Sequence, residues 1–275
     1  MAAATLRMPL RTSIEKLPIV TGIVRDFGFR LYFRAQRLSW RQRLRCVPML
    51  FLAETFVYRA DAVVERAKDV DLGLGRSGDD DTVRRYRATF AAYKMRFEEL
   101  LRRKHAYNEA VARQLDFGEE YLYLENKVTS NGAASHAELV RLAELRPFDL
   151  RMLHGIVFAL LDRPVDNDLL DLLWPVEVLS DIGDDLKTYY SDVDAGHFNI
   201  YDSFLRFYGA AGRDQLQAEI DRYEQIFRVE LAKFPADRQA ELATICTRRY
   251  RPLVEVFPEP RPLQDSRVPQ PEGNQ

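Results

Sequence analysis

Three oxygen-bearing side chains recur at every fourth position in the second half of the chain: Asp184, Thr188 and Asp192. In a helix each step of four residues turns about 400°, so these side chains form a stripe about 12 Å long on one face. Carboxylate and hydroxyl oxygens suit Mg²⁺, and such a stripe keeps room for substrate phosphates. Three neighbouring acids add negative charge that a cation would relieve: Asp181, Asp185 and Asp194.

The simplest alternative is a solvated acidic face, or a set of N-cap residues after Gly183. The apolar surroundings of the acids argue against this alternative, because a helix that buries most of its surface rarely carries many unpartnered acids. Those apolar neighbours are Trp174, Val176, Val178, Leu179, Ile182 and Leu186. The sequence therefore favours a divalent-metal site on this helix.

Helical periodicity runs through almost the whole sequence. Helices are predicted over residues 41–68, 82–114, 117–128, 149–161, 169–191, 199–209, 212–233 and 236–250, with a break at 129–132 after which helix resumes by Ser135. We find no period-2 strand and no internal repeat. The prediction is an all-α, single-domain helical bundle over residues 1–251, followed by a Pro-rich extended or disordered tail over 252–275.

Composition narrows the classes of function. The chain has 275 residues, of which 47% are hydrophobic and 30% charged, and its formal charge is -2. This near balance argues against a nucleic-acid partner. Cys46 and Cys246 make no disulfide framework, which favours the cytoplasm. No stretch approaches the roughly 20 apolar residues of a membrane span.

The segment from Asp184 to Asp192 resembles the second metal motif of class I terpene synthases. That motif reads Asn or Asp, Asp, an aliphatic residue, any residue, Ser or Thr, three residues of any kind, and Glu. Only the last position departs from it, with Asp for Glu. The resemblance implies that Asp184, Thr188 and Asp192 are catalytic metal ligands in a cluster of three Mg²⁺ ions, which Mn²⁺ could replace.

A first acidic motif is expected on an earlier helix. Asp61-Ala-Val-Val-Glu65 resembles the family's Asp-Asp-x-x-Glu, with Ala62 at the second Asp. The resemblance implies metal binding by Asp61 and Glu65, with Asp61 catalytic. The alternative is an ordinary surface pair, in which Asp61 pairs with a neighbouring arginine on the outside of the helix.

Residues that would bind diphosphate are expected at three further places. Lys127 stands where the family has an arginine that senses diphosphate, although lysine lacks the arginine fork. Arg249 and Tyr250 resemble the Arg-Tyr pair that closes over diphosphate in bacterial terpene synthases. The family usually has a lysine just before the last motif position. Lys187 is the candidate substitute for it in this chain, although its position in the sequence places it on a different side of the helix.

The resemblance also implies an apolar cavity in which a carbocation rearranges. Aromatic faces stabilise cationic carbon, and carbonyls at the helix break could face it. The cavity candidates are Phe51, Phe56, Tyr58, Trp174 and Tyr189, with Ser130, Asn131 and Gly132 at the break. The alternative for the aromatic residues is ordinary core packing.

Together these motifs predict a Mg²⁺-dependent lyase that ionises an allylic prenyl diphosphate, releases diphosphate and forms a terpene. A C20 substrate is favoured, including a bicyclic diphosphate supplied by a separate class II diterpene cyclase, and the family often forms homodimers. The alternatives are a sesquiterpene synthase acting on farnesyl diphosphate, and a head-to-head squalene or phytoene synthase, since Asp181 and Asp185 also resemble an Asp-x-x-x-Asp motif. A helical interaction protein is the non-enzyme alternative.

Overall fold

The computed structural model describes residues 10–73, 80–133 and 135–261; within them the side chains of residues 10–16, 61–73, 80–87, 89, 130 and 131 are not described. The chain is 84% helical and the described part has no strand, which confirms the all-α prediction. The helices are α1 Leu10–Ile23, a π-helical segment Val24–Tyr32, the single turn α2 Phe33–Ala35, α3 Trp40–Gly73, α4 Asp80–Arg103, α5 Glu109–Asn131, α6 His136–Leu145, α7 Phe148–Leu160, α8 Asn167–Ala195, α9 Ile200–Tyr208, α10 Gly212–Leu231 and α11 Ala236–Val254.

The N-terminal helices were not predicted from the sequence. Helix α1 and the π-helical segment fold back against α3, where Gly28 packs close to Leu50. The turn before α3 is fixed by a capping box, in which the Ser39 backbone N–H donates to Gln42 Oε1 at 2.9 Å and the Ser39 hydroxyl lies 3.0 Å from the same oxygen. This hairpin brings the inner side of the π-helical segment to the centre of the bundle.

One predicted boundary was wrong. The helix predicted over residues 82–114 is divided at Lys104–Asn108, and α5 then continues without the break expected before Phe117. The cause is a strong start signal, since Asn108 caps α5 by accepting a hydrogen bond from the Val111 N–H at 2.9 Å. Its amide also donates to the Gly155 carbonyl on α7 at 2.9 Å.

The predicted break near residue 130 is confirmed. Helix α5 ends at Asn131, and α6 begins at His136 after a cap in which Ser135 accepts from the Glu138 N–H at 3.2 Å. Gly132 has a φ of 76°, a conformation that favours glycine. The chain therefore turns sharply between two helices.

Helix α8 lies at the centre of the bundle and packs against α11, α10 and α9. Gly183 is required at the crossing with α11, because a Cβ there would collide with Leu253. This close approach places the C-terminal part of α11 beside the start of the acidic stripe.

After α11 the chain runs without helix from Glu255 to Arg261 across the C-terminal part of α8. The Tyr201 hydroxyl donates to the Pro258 carbonyl at 3.3 Å, and the Tyr190 hydroxyl donates to the Glu259 carbonyl at 3.0 Å. The Arg261 backbone N–H donates to the Tyr189 hydroxyl at 3.0 Å. Residues 262–275, which hold most of the predicted tail, lie outside the described part. Among the helices that are described, none is both long and apolar enough to cross a membrane.

Candidate functional site

The stripe of oxygens on α8 is present as a continuous surface feature. The Thr188 hydroxyl lies 2.6 Å from Asp192 Oδ2 and 2.9 Å from the Asp184 carbonyl, and can donate to either. Thr188 is exposed, whereas Asp184 and Asp192 are half-buried. All three side chains can therefore present an oxygen to solvent on one side of the helix.

Asn199 orients the far end of this stripe. Its amide nitrogen donates to Asp192 Oδ2 at 2.9 Å and to the Asp185 carbonyl at 2.8 Å. Its amide oxygen caps α9 by accepting from the backbone N–H groups of Tyr201 and Asp202 at 3.1 and 3.2 Å. The buried Asn199 thus fixes the position of the Asp192 carboxylate relative to α9.

Arg249 on α11 reaches the near end of the stripe. Its guanidinium lies 3.3 Å from Asp184 Oδ2 and 4.2 Å from the centre of the Phe27 ring. The Arg249 Nε is buried and has no partner in the described residues. An arginine placed over an aromatic ring, with one nitrogen unpartnered in the described residues, could pair with a second anion if it moves away from Asp184.

Asp185 has a structural position although it lies between the stripe residues in sequence. It is buried, pairs with Arg146 and accepts from the Ile200 N–H at 2.7 Å. Burial raises its pKa, and Arg146 opposes that rise. Asp185 therefore ties α8 to the segment after α6 and to α9.

A second group of acids lies inside the bundle. Glu177 is buried, accepts from the Tyr32 hydroxyl at 2.8 Å and lies 3.8 Å from Arg151. Burial raises the pKa of Glu177 to about 8, with Arg151 and Tyr32 opposing the rise. His154 stacks on Tyr32 at 4.7 Å, and burial lowers its pKa to about 3.

Glu54 is the most isolated of the inner acids. It is fully buried on α3, and neither carboxylate oxygen has a hydrogen-bond partner in the described residues. Burial raises its pKa well above the ordinary value, and the charges of Asp149 and Asp181 raise it further. Burial also raises the pKa of Asp149 to about 6 and that of Asp181 to about 8. Glu54 on α3 is fully buried, whereas Asp149 on α7 and Asp181 on α8 are half-buried near it.

The other predicted polar site residues are dispersed. Lys127 pairs with Glu138 across the helix break, and Lys187 is exposed. Tyr250 is buried beside Phe227, and burial raises its pKa to about 12. The side chains of Asp61, Glu65, Ser130 and Asn131 lie outside the described residues, although the backbone of α3 is helical through Asp61 and Glu65.

The predicted cavity aromatics fall in separate contacts. Phe56 stacks on Phe97 at 4.5 Å, Trp174 meets Tyr223 edge-on at 5.8 Å, and Tyr189 packs against the rings of Tyr190 and Tyr201, each at 5.1 Å. Phe51 and Tyr58 on α3 are half-buried, and Gly132 is exposed. These contacts are those of core packing between neighbouring helices.

The donor set on α8 fits a hard cation in part. Two cis ligands of Mg²⁺ at 2.0–2.1 Å are about 2.9 Å apart, close to the 2.6 Å between Thr188 Oγ1 and Asp192 Oδ2. Within the described residues no group of three or more His, Cys, Asp or Glu side chains is placed to hold a metal. A complete site would therefore need donors from substrate, water or the first motif on α3.

A groove of about 470 Å³ opens at the other end of α8. Its lining includes Gln36, Arg37, Arg163, Leu169 and Arg238, and none of the predicted site residues. Leu169 and Asp184 are 15 residues apart on one helix, which corresponds to about 22 Å. The groove is thus separate from the stripe.

The sequence did not reveal the inner acids as a group. Glu54 directly follows the apolar run from Met49 to Ala53. A lone acid next to such a run was the one signal in the sequence that this carboxyl is buried. Its proximity to Asp149 and Asp181 depends on how three distant helices pack, which no local pattern gives.

Comparisons of the chain with known protein families, curated proteins and solved structures found no match.

Proposed function

We propose that the chain is a class I terpene synthase that ionises an allylic prenyl diphosphate. The observation that supports this proposal most is the approach of Arg249 to Asp184 at 3.3 Å. These two residues belong to motifs 65 positions apart, each of which resembles a diphosphate-site motif of the same family. A site that binds diphosphate through a metal ion requires a cationic side chain close to a metal-binding carboxylate.

In this proposal Asp184, Thr188 and Asp192 hold Mg²⁺, with Asp61 and Glu65 of α3 as the opposing ligands. Bound Mg²⁺ would act as a Lewis acid on the leaving group. Arg249 would leave Asp184 and donate its fork to diphosphate oxygens, with Phe27 beneath the guanidinium. Asn199 would hold Asp192 in its ligand orientation.

The reaction breaks the bond between the allylic carbon and the diphosphate oxygen, and the electron pair leaves with diphosphate. The resulting carbocation rearranges and then loses a proton to give an alkene, or takes up water and loses a proton from it to give an alcohol. A C20 substrate, including a bicyclic one, is favoured over a C15 substrate for this short chain, which lacks a complete first motif.

One observation weighs against the head-to-head alternative. That alternative needs Asp181 and Asp185 to act together as one metal motif. Asp185 is already buried against Arg146 and the Ile200 N–H, so it cannot turn toward a cation without breaking both contacts. Asp184 and Asp192 also have partners, Arg249 and Asn199, but both carboxylates are half-buried, whereas Asp185 is buried.

The test is incubation of the full chain with Mg²⁺ and, separately, C10, C15 and C20 prenyl diphosphates and a bicyclic C20 diphosphate, followed by gas chromatography–mass spectrometry. We expect a terpene from one substrate, lost in Asp184→Ala and retained in Asp194→Ala. Asp194 is the matched control, since it is an exposed acid of α8 paired with Arg261. A product with a doubled carbon number would move the assignment to head-to-head condensation. Failure with every substrate, from folded protein that also does not bind Mg²⁺ with inorganic diphosphate, would overturn the proposal.

A further inference from the structure

The N-terminal part of α3 exposes large apolar side chains on the same face as arginines. Trp40 is 62% exposed, Leu44 53% and Leu52 39%, and Arg41 and Arg45 are also exposed. Spacings of four and eight residues place Trp40, Leu44 and Leu52 within one arc of the helix, and Arg41 and Arg45 extend that arc. We call these five residues the Trp40 patch.

The charge of this region is far from that of the whole chain. Residues 25–45 contain seven arginines and one acid, whereas the full chain has a formal charge of -2. Arg41 and Arg45 are four residues apart, a spacing at which like charges destabilise a helix. Neither arginine has an ion-pair partner within the described residues. The local repulsion is therefore not offset by an ion pair in the part of the chain that the structure describes.

The patch is held in a fixed arrangement. Ser39 and Gln42 form the capping box that begins α3, and Trp40 and Arg41 lie inside it. The Trp40 ring contacts Phe29 at 6.4 Å, and the Arg43 Nε donates to the Leu38 carbonyl at 2.9 Å. The opposite side of the helix is buried through Cys46, Leu50 and Ala53. A partner would thus meet a preformed surface.

We propose that the Trp40 patch binds the surface of an anionic lipid bilayer, with α3 in the plane of the interface. Tryptophan favours the membrane interface, leucines can enter the acyl boundary, and arginines are attracted by anionic headgroups. Nucleic acid would match the arginines but leave Leu44 and Leu52 without apolar contact. A second copy of this face would bring arginines together. The inference does not depend on the proposed terpene chemistry.

The experiment is sedimentation of the full chain with large vesicles, either of phosphatidylcholine alone or with about one third phosphatidylglycerol. We expect binding to the anionic vesicles only, weaker at 300 mM than at 50 mM NaCl. Each basic residue near such a surface contributes about fivefold in affinity, so Arg41→Glu/Arg45→Glu is expected to reduce binding at least tenfold. Trp40→Ser/Leu44→Ser is expected to reduce it similarly.

The matched control is Arg206→Glu/Arg213→Glu, which makes the same change in net charge on α9 and at the start of α10, elements that pack against α8. This variant should bind within about twofold of the unchanged chain. Circular dichroism checks that each variant is folded. The proposal is overturned if anionic vesicles are not bound at 50 mM NaCl, or if the control loses binding equally. It is also overturned if the Trp40 patch variants keep vesicle binding and instead lose either binding to a DNA duplex or self-association.

Discussion

Two groups of acids on α8 share a helix but not an environment. Asp184 and Asp192, on the outer stripe, are half-buried and keep oxygens open to solvent, with Arg249 and Asn199 as their neighbours. Glu177 is buried and Asp181 is half-buried beside the inner acids, and burial raises the pKa of each to about 8. Burial therefore raises the pKa of carboxyls on one side of the helix, whereas those of the outer stripe lie beside an arginine and an amide.

The largest contrast is expected in activity. Asp192→Ala should reduce terpene formation at least about 100-fold, because it removes a proposed metal ligand together with the acceptor of the Thr188 and Asn199 hydrogen bonds. The measurement is product formation at saturating Mg²⁺. Asp194→Ala is the control and should retain activity. Equal activity of both variants would contradict a special role for the outer stripe.

The next prediction compares two arginine–aspartate pairs of α8 in stability. Arg146→Ala should destabilise the fold by about 3–5 kcal/mol, because it leaves the buried Asp185 without its charged partner. Arg261→Ala removes an exposed pair with Asp194 that solvent screens, so it should change stability far less. Urea unfolding of both variants measures the difference. Similar losses would mean that Asp185 is not confined as the structure has it.

The inner acids predict an unusual dependence of stability on pH. A carboxyl whose folded pKa is raised stabilises the fold below its unfolded pKa, and this stabilisation is lost as pH rises through the folded pKa. Glu177 and Asp181, each at about 8, should reduce the free energy of unfolding by about 2–3 kcal/mol between pH 7 and pH 8.5.

His154 acts in the opposite direction. Because its folded pKa is lowered, His154 reduces the free energy of unfolding only as pH falls below about 6.5. It therefore does not contribute to the pH dependence of stability above pH 7. The measurement is urea unfolding in the presence of a chelator at pH 7, 7.75 and 8.5. A rise in stability across this range would contradict the placement of Glu177 and Asp181.

The smallest expected effect belongs to Glu54→Gln. At pH 7 the amide replaces a carboxyl that burial keeps protonated, so stability should change little. The stability of the variant relative to the unchanged chain should be higher at pH 8.5 than at pH 7, because the amide has no proton to lose. Thermal unfolding at the two pH values tests this. A destabilisation that is larger at pH 8.5 would show that Glu54 is an ionised partner of another group.

Much of the helical architecture could be predicted from sequence, and the reason is visible at particular residues. The periodicity of residues 41–68 and 169–191 predicted α3 and α8 because each buries one continuous face. The break before α6 was marked by Gly132 and Ser135. The break at Lys104–Asn108 was missed because its only clear signal is the Asn108 cap.

The candidate site was predictable only where it is local. Asp184, Thr188 and Asp192 are related by helical spacing, so their stripe follows from the sequence. Their relation to Arg249 depended on a family resemblance, since α11 is far away in the chain. Glu54, Asp149 and Asp181 meet only through the packing of three helices, which explains why their proximity was not foreseen.

The π-helical segment has a consequence for insertions and deletions. Its wider turns let Phe27 lie under Arg249 while Tyr32 reaches Glu177, five positions later. In the π-helical form about five residues complete a turn, whereas about four do so in an α-helix. Removal of a single residue between Phe27 and Tyr32, with the segment tightening to an α-helix, would therefore keep both side chains on one face and keep both inward contacts. Removal of a second residue would rotate one side by about 100° and leave only one of them. This stretch is thus expected to tolerate the loss of one residue better than the loss of two.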